Sequence, residues 1–178
     1  MKNQPFFRAY PLNKWNIVTI VGYTLFSVGL LFYYLFANQP KVGILPVYLI
    51  VTQLGLYFGQ YRAIRNVYVH AFWFMVGIAH LVTAYYIAHN PALSGVCGLL
   101  TNTLATVILL QLLRFASLKL QGKELVAADK GSFDMFKERK ITWTDRLLFF
   151  VYFVCGIFGF KFFSVYSEKY LLNPIWLH

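Results

Sequence analysis

The sequence predicts an all-α, polytopic membrane helix bundle with about five transmembrane helices and one basic extramembrane loop. Three observations carry that expectation. Hydrophobic residues make up 59% of the 178 positions and charged residues only 12%, about half the roughly 25% of a soluble domain. The apolar residues fall in runs close to the ~20 residues that cross a ~30 Å hydrocarbon core. The basic residues flank those runs, and 13 of the 16 lie on segments that five crossings would place on one side. Aromatics at 20% suit lipid-facing and interfacial surface. A soluble chain of this length has no core large enough to hide so much apolar surface.

The elements follow in chain order. Residues 1–15 form a polar N-terminal segment carrying Lys2, Arg8 and Lys14. Residues 16–37 then run 22 positions without a charge, which is longer than the apolar region of a signal peptide and reads as the first span. Asn38, Gln39, Pro40 and Lys41 make a turn. The second span covers 42–61, with Pro46 in its first turn, where a missing backbone donor costs little. Arg62 and Arg65 close it. The third covers 67–88 and ends at His89, Asn90 and Pro91. The fourth covers 92–113, completing a four-helix region over 16–113.

Residues 114–146 form the basic extramembrane loop. Arg114 through Gln121 should prolong the fourth helix, and Gly122 should stop it. Ser132 is placed to cap a short amphipathic helix containing Phe133, Met135, Phe136 and Glu138. Thr142 and Asp145 have the spacing of an N-terminal cap ahead of Leu147. The fifth span, 147–167, is interrupted by Lys161, which lies ~21 Å along the helix from Leu147. That leaves its ammonium within snorkelling reach of the far headgroups; a re-entrant helix is the alternative. A polar and aromatic tail occupies 168–178.

The charge asymmetry sets the expected orientation. The positive-inside rule places the N-terminus on the cytoplasmic or matrix side, in a bacterial plasma membrane or a mitochondrial inner membrane. The net charge of +10 is distributed as flanks to apolar runs and builds no nucleic-acid-binding face. The expected partners are therefore other membrane subunits and anionic phospholipids such as cardiolipin. Arg62, Arg65, Arg114 and Lys119 are the expected lipid contacts.

Catalytic signatures are absent from the sequence. It has no P-loop, no Gly-x-Ser-x-Gly, no His-Glu-x-x-His and no Gly-x-Gly-x-x-Gly. All six acids fall outside the expected spans, so a proton relay or carboxylate metal site has no intramembrane acid to rest on. A haem held between helices usually takes two axial ligands, and the spans offer histidines on one helix only, His70 and His80. No cofactor or metal is expected. Cys97 and Cys155 sit in apolar runs and read as small buried hydrophobes.

One polar constellation stands out. Gln53 in the second span, His80 in the third and Asn102 in the fourth, flanked by Thr101 and Thr103, lie at similar depth. Polar side chains in hydrocarbon seek one another or a backbone group. The plain reading is hydrogen bonding that locks the helices; the sharper one is a site for a small ligand or quinone-like headgroup. Close helix approach is expected at Gly55 and Gly59 and at Ala84 and Ala88, both with small-x-x-x-small spacing. Gly95, Gly98, Gly156 and Gly159 offer further small positions. The expectation for function is a non-catalytic structural or accessory subunit of a larger membrane complex, of the kind energy-transducing membranes contain. The alternative is a free-standing small membrane enzyme or carrier built around Gln53, His80 and Asn102.

Overall fold

The computed structural model describes residues 6–7, 9–36, 43–87, 94–126 and 140–166. Among these the chain forms five α-helices: α1 (Lys14–Phe36), α2 (Ile44–Gln60), α3 (Val67–Ile87), α4 (Ser94–Gln121) and α5 (Trp143–Tyr166). A single 3₁₀ turn, Ala63–Arg65, links α2 to α3. The expected turns at 38–41 and 89–91, the amphipathic helix beginning at Ser132, Ala88 and the C-terminal tail lie outside the described residues.

Local chemistry explains most of the helix ends. Asn13 caps α1, its Oδ1 accepting from the Asn16 amide at 2.7 Å, and Asn66 caps α3 by accepting from the Tyr68 amide at 2.9 Å. Thr142 and Asp145 form a reciprocal capping box at α5: the Thr142 amide donates to Asp145 Oδ2 at 2.9 Å and the Asp145 amide to Thr142 Oγ1 at 3.3 Å. Gly122 ends α4 with φ of 64°, a left-handed conformation that only glycine adopts without cost. α4 does run past the apolar stretch to Gln121. At ~1.5 Å per residue it is about 42 Å long and outreaches the hydrocarbon core.

Three helices, α1, α3 and α4, are long and apolar enough to cross a membrane. α2 has 17 residues, at the lower limit for a crossing. α5 is a continuous 24-residue helix that carries Asp145 at its start. α4 is the central helix: 61% of its apolar span is buried, against 22% for α3 and none for α1. Two apolar clusters stack along it. One gathers Tyr57, Tyr61, Trp73, Val107, Leu110 and Tyr152; the other gathers Leu49, Ala84, Val96, Cys97 and Leu100.

The N-terminal segment, the α2–α3 turn, the end of α4 and the start of α5 meet at one end of the bundle. The Tyr10 carbonyl accepts from Asn66 Nδ2 at 2.7 Å, the Phe6 carbonyl accepts from Arg114 Nη2, and Gln121 Nε2 donates to Asp145 Oδ1 at 3.1 Å. Trp15 and Trp143, at the starts of α1 and α5, are each 78% exposed.

The glycines are used differently from their spacing. A Cβ on Gly55 or Gly59 would meet no heavy atom within 4 Å, so this pair floors an open groove and makes no helix contact among the described residues. The close approaches occur at Gly77, where a Cβ would lie 2.8 Å from the Leu104 Cα, and at Gly159, where it would lie 2.6 Å from Asn102 Oδ1. These glycines bring α3 and α5 against α4. Ala84 is fully buried, and its carbonyl faces the Cys97 thiol at 3.6 Å. Cys155, expected to be buried, is exposed, because it falls on the outer face of α5.

Candidate functional site

Gln53, His80 and Asn102 come together in one network at the middle of the bundle. Asn102 Nδ2 donates to Gln53 Oε1 at 3.0 Å and to the Gly156 carbonyl at 3.2 Å. Gln53 Nε2 donates to the Leu99 carbonyl at 2.9 Å and stands 3.5 Å from Thr103 Oγ1. His80 joins through Thr103, with Nδ1 3.1 Å from Thr103 Oγ1. These contacts tie α2, α3 and α5 to α4. Asn102 and Thr103 are buried at 2% and 0% exposure.

The network extends to hydroxyl groups that the residue-type reading passed over. His80 Nε2 lies 3.3 Å from the Tyr48 hydroxyl, which also lies 2.8 Å from Ser27 Oγ and bonds the Tyr23 hydroxyl. Tyr23 in turn stands 3.4 Å from Thr52 Oγ1. Tyr152 donates to the Gln53 carbonyl at 2.9 Å. α1 is thereby fastened to the bundle, through Tyr23 and Ser27. A signal for these residues exists in the sequence: Tyr23 with Ser27, and Tyr48 with Thr52, are polar pairs at i, i+4, one above the other on a helix face.

The chemistry available to this network is narrow. Both His80 ring nitrogens are engaged, and so are both ends of the Gln53 amide. The hydroxyl nearest His80 Nδ1 belongs to Thr103, which is fully buried and donates to the Leu99 carbonyl at 3.3 Å. A nucleophile needs a path to substrate as well as a base, and Thr103 has none. Thr106 likewise spends its hydroxyl on the Asn102 carbonyl. Among the described residues no three His, Cys, Asp or Glu side chains gather closely enough to hold a metal ion.

A second polar network closes the basic end, and it corrects the expectation for Arg114. That residue was expected among lipid headgroups; it is 1% exposed. Its Nε donates to Glu124 Oε2 at 2.8 Å and its Nη2 to Glu124 Oε1 at 3.0 Å, a bidentate pair. Nη1 donates to Gln111 Oε1 at 3.2 Å, and the guanidinium carbon lies 4.4 Å from the Phe6 ring centroid. The physical reason lies in the chain after Gly122. Leu125 and Val126 tuck into the core at 2% exposure each and carry Glu124 under the guanidinium. Arg65 also turns inward, with Nη2 donating to the Leu125 carbonyl at 3.1 Å and Nε 3.8 Å from Glu124.

Of the other expected lipid contacts, Arg62 is partly exposed, and Lys119 is exposed with its ammonium 5.7 Å from the Phe115 ring. His70 belongs to the closing network, its Nδ1 3.1 Å from Gln111 Nε2, which also donates to the Ile64 carbonyl at 3.2 Å. Asp145 is fully buried, and the Thr142 hydroxyl lies 2.7 Å from Asp145 Oδ2 and 2.6 Å from Gln121 Oε1. Compared with protein-family models, curated proteins and solved structures, the chain matches no family model, no curated protein and no solved structure.

Proposed function

We propose that the chain is a non-catalytic accessory subunit of a larger membrane complex, contributing helix packing and contacts to anionic phospholipid. One observation supports the non-catalytic reading above the others. The mid-membrane polar groups that could do chemistry spend their hydrogen bonds on neighbouring helices: His80 on Thr103 and Tyr48, Gln53 on Asn102 and the Leu99 carbonyl. A group committed in this way orders the bundle and leaves little for a substrate. The proposed setting is an energy-transducing membrane, a mitochondrial inner membrane or a bacterial plasma membrane. The basic end would lie on the matrix or cytoplasmic side, following the distribution of Lys and Arg.

Purification of the tagged chain in mild detergent tests the assembly. A stable complex of several different chains is the expected result, and a lone helix bundle would overturn it in favour of a free-standing enzyme or carrier. Orientation has its own test. Reporters at Asn3 and Gly131 should read the cytoplasmic or matrix side, and one after His178 the opposite side. Agreement between Asn3 and His178 would remove the fifth crossing.

A further inference from the structure

α1 leans on the bundle through Tyr23, whose ring lies 4.8 Å from Trp73 and 5.8 Å from Tyr48. Beside that contact α1 and α2 leave a groove of about 440 Å³, lined by Phe26, Val47, Val51 and Trp73 with Gly55 and Gly59 as its floor. The glycines leave the space open, since a Cβ on either would touch nothing. Thr19, Gly59 and Gln60 also line a second, polar cavity of about 720 Å³ at the basic end, shared with Asn13, Arg62 and Arg65. The two cavities therefore adjoin along these residues. Among the described residues no acidic side chain lines either of them.

The dimensions and chemistry select an occupant. From Ile44 to Gly59 α2 rises about 22 Å, more than the ~15 Å of one leaflet of hydrocarbon. The cationic mouth suits a phosphate, which arginine binds well. Trp73, 3% exposed, gives the inner wall a flat apolar ring. A neutral quinone brings no charge to pair with the arginine, and a fatty-acid carboxylate is far smaller than the polar cavity of about 720 Å³. We infer that the groove holds one anionic glycerophospholipid, its phosphate at the Arg62 mouth and one acyl chain along Gly59 and Gly55. This rests on the basic end facing headgroups and is independent of any partner subunit.

The test uses the full chain carrying Trp15→Phe, Trp143→Phe and Trp176→Phe, so that Trp73 alone fluoresces. It is reconstituted into phosphatidylcholine vesicles doped with phosphatidylglycerol bearing brominated acyl chains, which quench tryptophan on contact. Quenching should saturate at low mole fraction, with roughly fivefold preference over brominated phosphatidylcholine, the worth of one basic residue at an anionic surface. Gly55→Leu with Gly59→Leu, which fills the open space, should abolish the saturable phase. Arg62→Gln should remove the anionic preference and leave quenching in place. Equal, unsaturable quenching by both lipids would mean ordinary boundary lipid and overturn the inference. So would saturable quenching that survives the double leucine variant, or displacement by a quinone or fatty acid more readily than by unbrominated phosphatidylglycerol. The lipid comparison requires no groove variant, so misfolding of the leucine forms leaves it decisive. A lone bundle that shows saturable quenching would refute the subunit proposal and leave the lipid site standing.

Discussion

Replacing glycine by alanine at two positions tests how the helices meet. At Gly77 the added Cβ would lie 2.8 Å from the Leu104 Cα, 2.9 Å from its Cδ1 and 3.1 Å from its Cβ. Carbon atoms prefer about 3.5–4.0 Å. The nearest of these atoms belongs to the backbone, so no change of rotamer relieves the contact and α3 must move away from α4. Overpacking of this kind costs about 1–3 kcal/mol, offset by the roughly 0.8–1 kcal/mol that alanine gains over glycine in a helix. Gly77→Ala should therefore lose about 1 kcal/mol net. At Gly55 the same substitution meets no atom within 4 Å, so only the propensity gain of up to ~1 kcal/mol remains. The two variants should differ by about 2 kcal/mol, with Gly55→Ala the more stable. Unfolding in mixed micelles with increasing dodecyl sulfate, followed by far-ultraviolet circular dichroism, measures the difference. A Gly55→Ala variant weaker than Gly77→Ala would refute the reasoning and restore Gly55 and Gly59 as a helix-packing pair.

Three further outcomes are expected. A double-mutant cycle of Gln53→Leu and Asn102→Leu should give a coupling of about 0.6 kcal/mol and at most ~1.7 kcal/mol; additivity would show that their 3.0 Å contact adds nothing to the bundle. Glu124→Gln should destabilise by about 2 kcal/mol, below the ~3–5 kcal/mol of a wholly buried pair because the Glu124 side chain is 20% exposed. Unfolding of this variant at wild-type denaturant would place Arg114 in contact with solvent or headgroups after all. Thr142→Ala should cost about 1 kcal/mol through loss of the α5 cap, seen as faster amide exchange at the start of α5; unchanged exchange would remove the capping box.

Some of the candidate site is legible in residue types alone. Gln, His and Asn in apolar runs announce themselves, and their depth follows from counting residues along each helix. Tyr23, Tyr48 and Tyr152 are different, because a tyrosine suits a lipid interface as well as a buried hydroxyl network. Arg114 misleads for a related reason. A basic residue directly after an apolar run reads as a headgroup contact, yet its environment is made by Glu124 and by the Phe6 carbonyl, 108 positions away. Glycine spacing is similarly mute: Gly55 and Gly59 have the packing motif and face a groove, while the isolated Gly77 makes the close contact.

Membrane character, the five helices of the described residues and the ends set by Gly122 and by Thr142 with Asp145 were determined by the sequence alone. These depend on transfer free energies and capping chemistry that act within a few residues of one another. The rotation of each helix about its axis was decided only by the tertiary structure, and with it the partners of the buried polar side chains and the use of Gly55, Gly59 and Gly77. A soluble helix declares its buried face through an apolar stripe. α3 is apolar on nearly every side, so no periodic signal says which face meets α4. Packing of side chains against neighbouring helices settles that question, because lipid solvates any apolar face equally well.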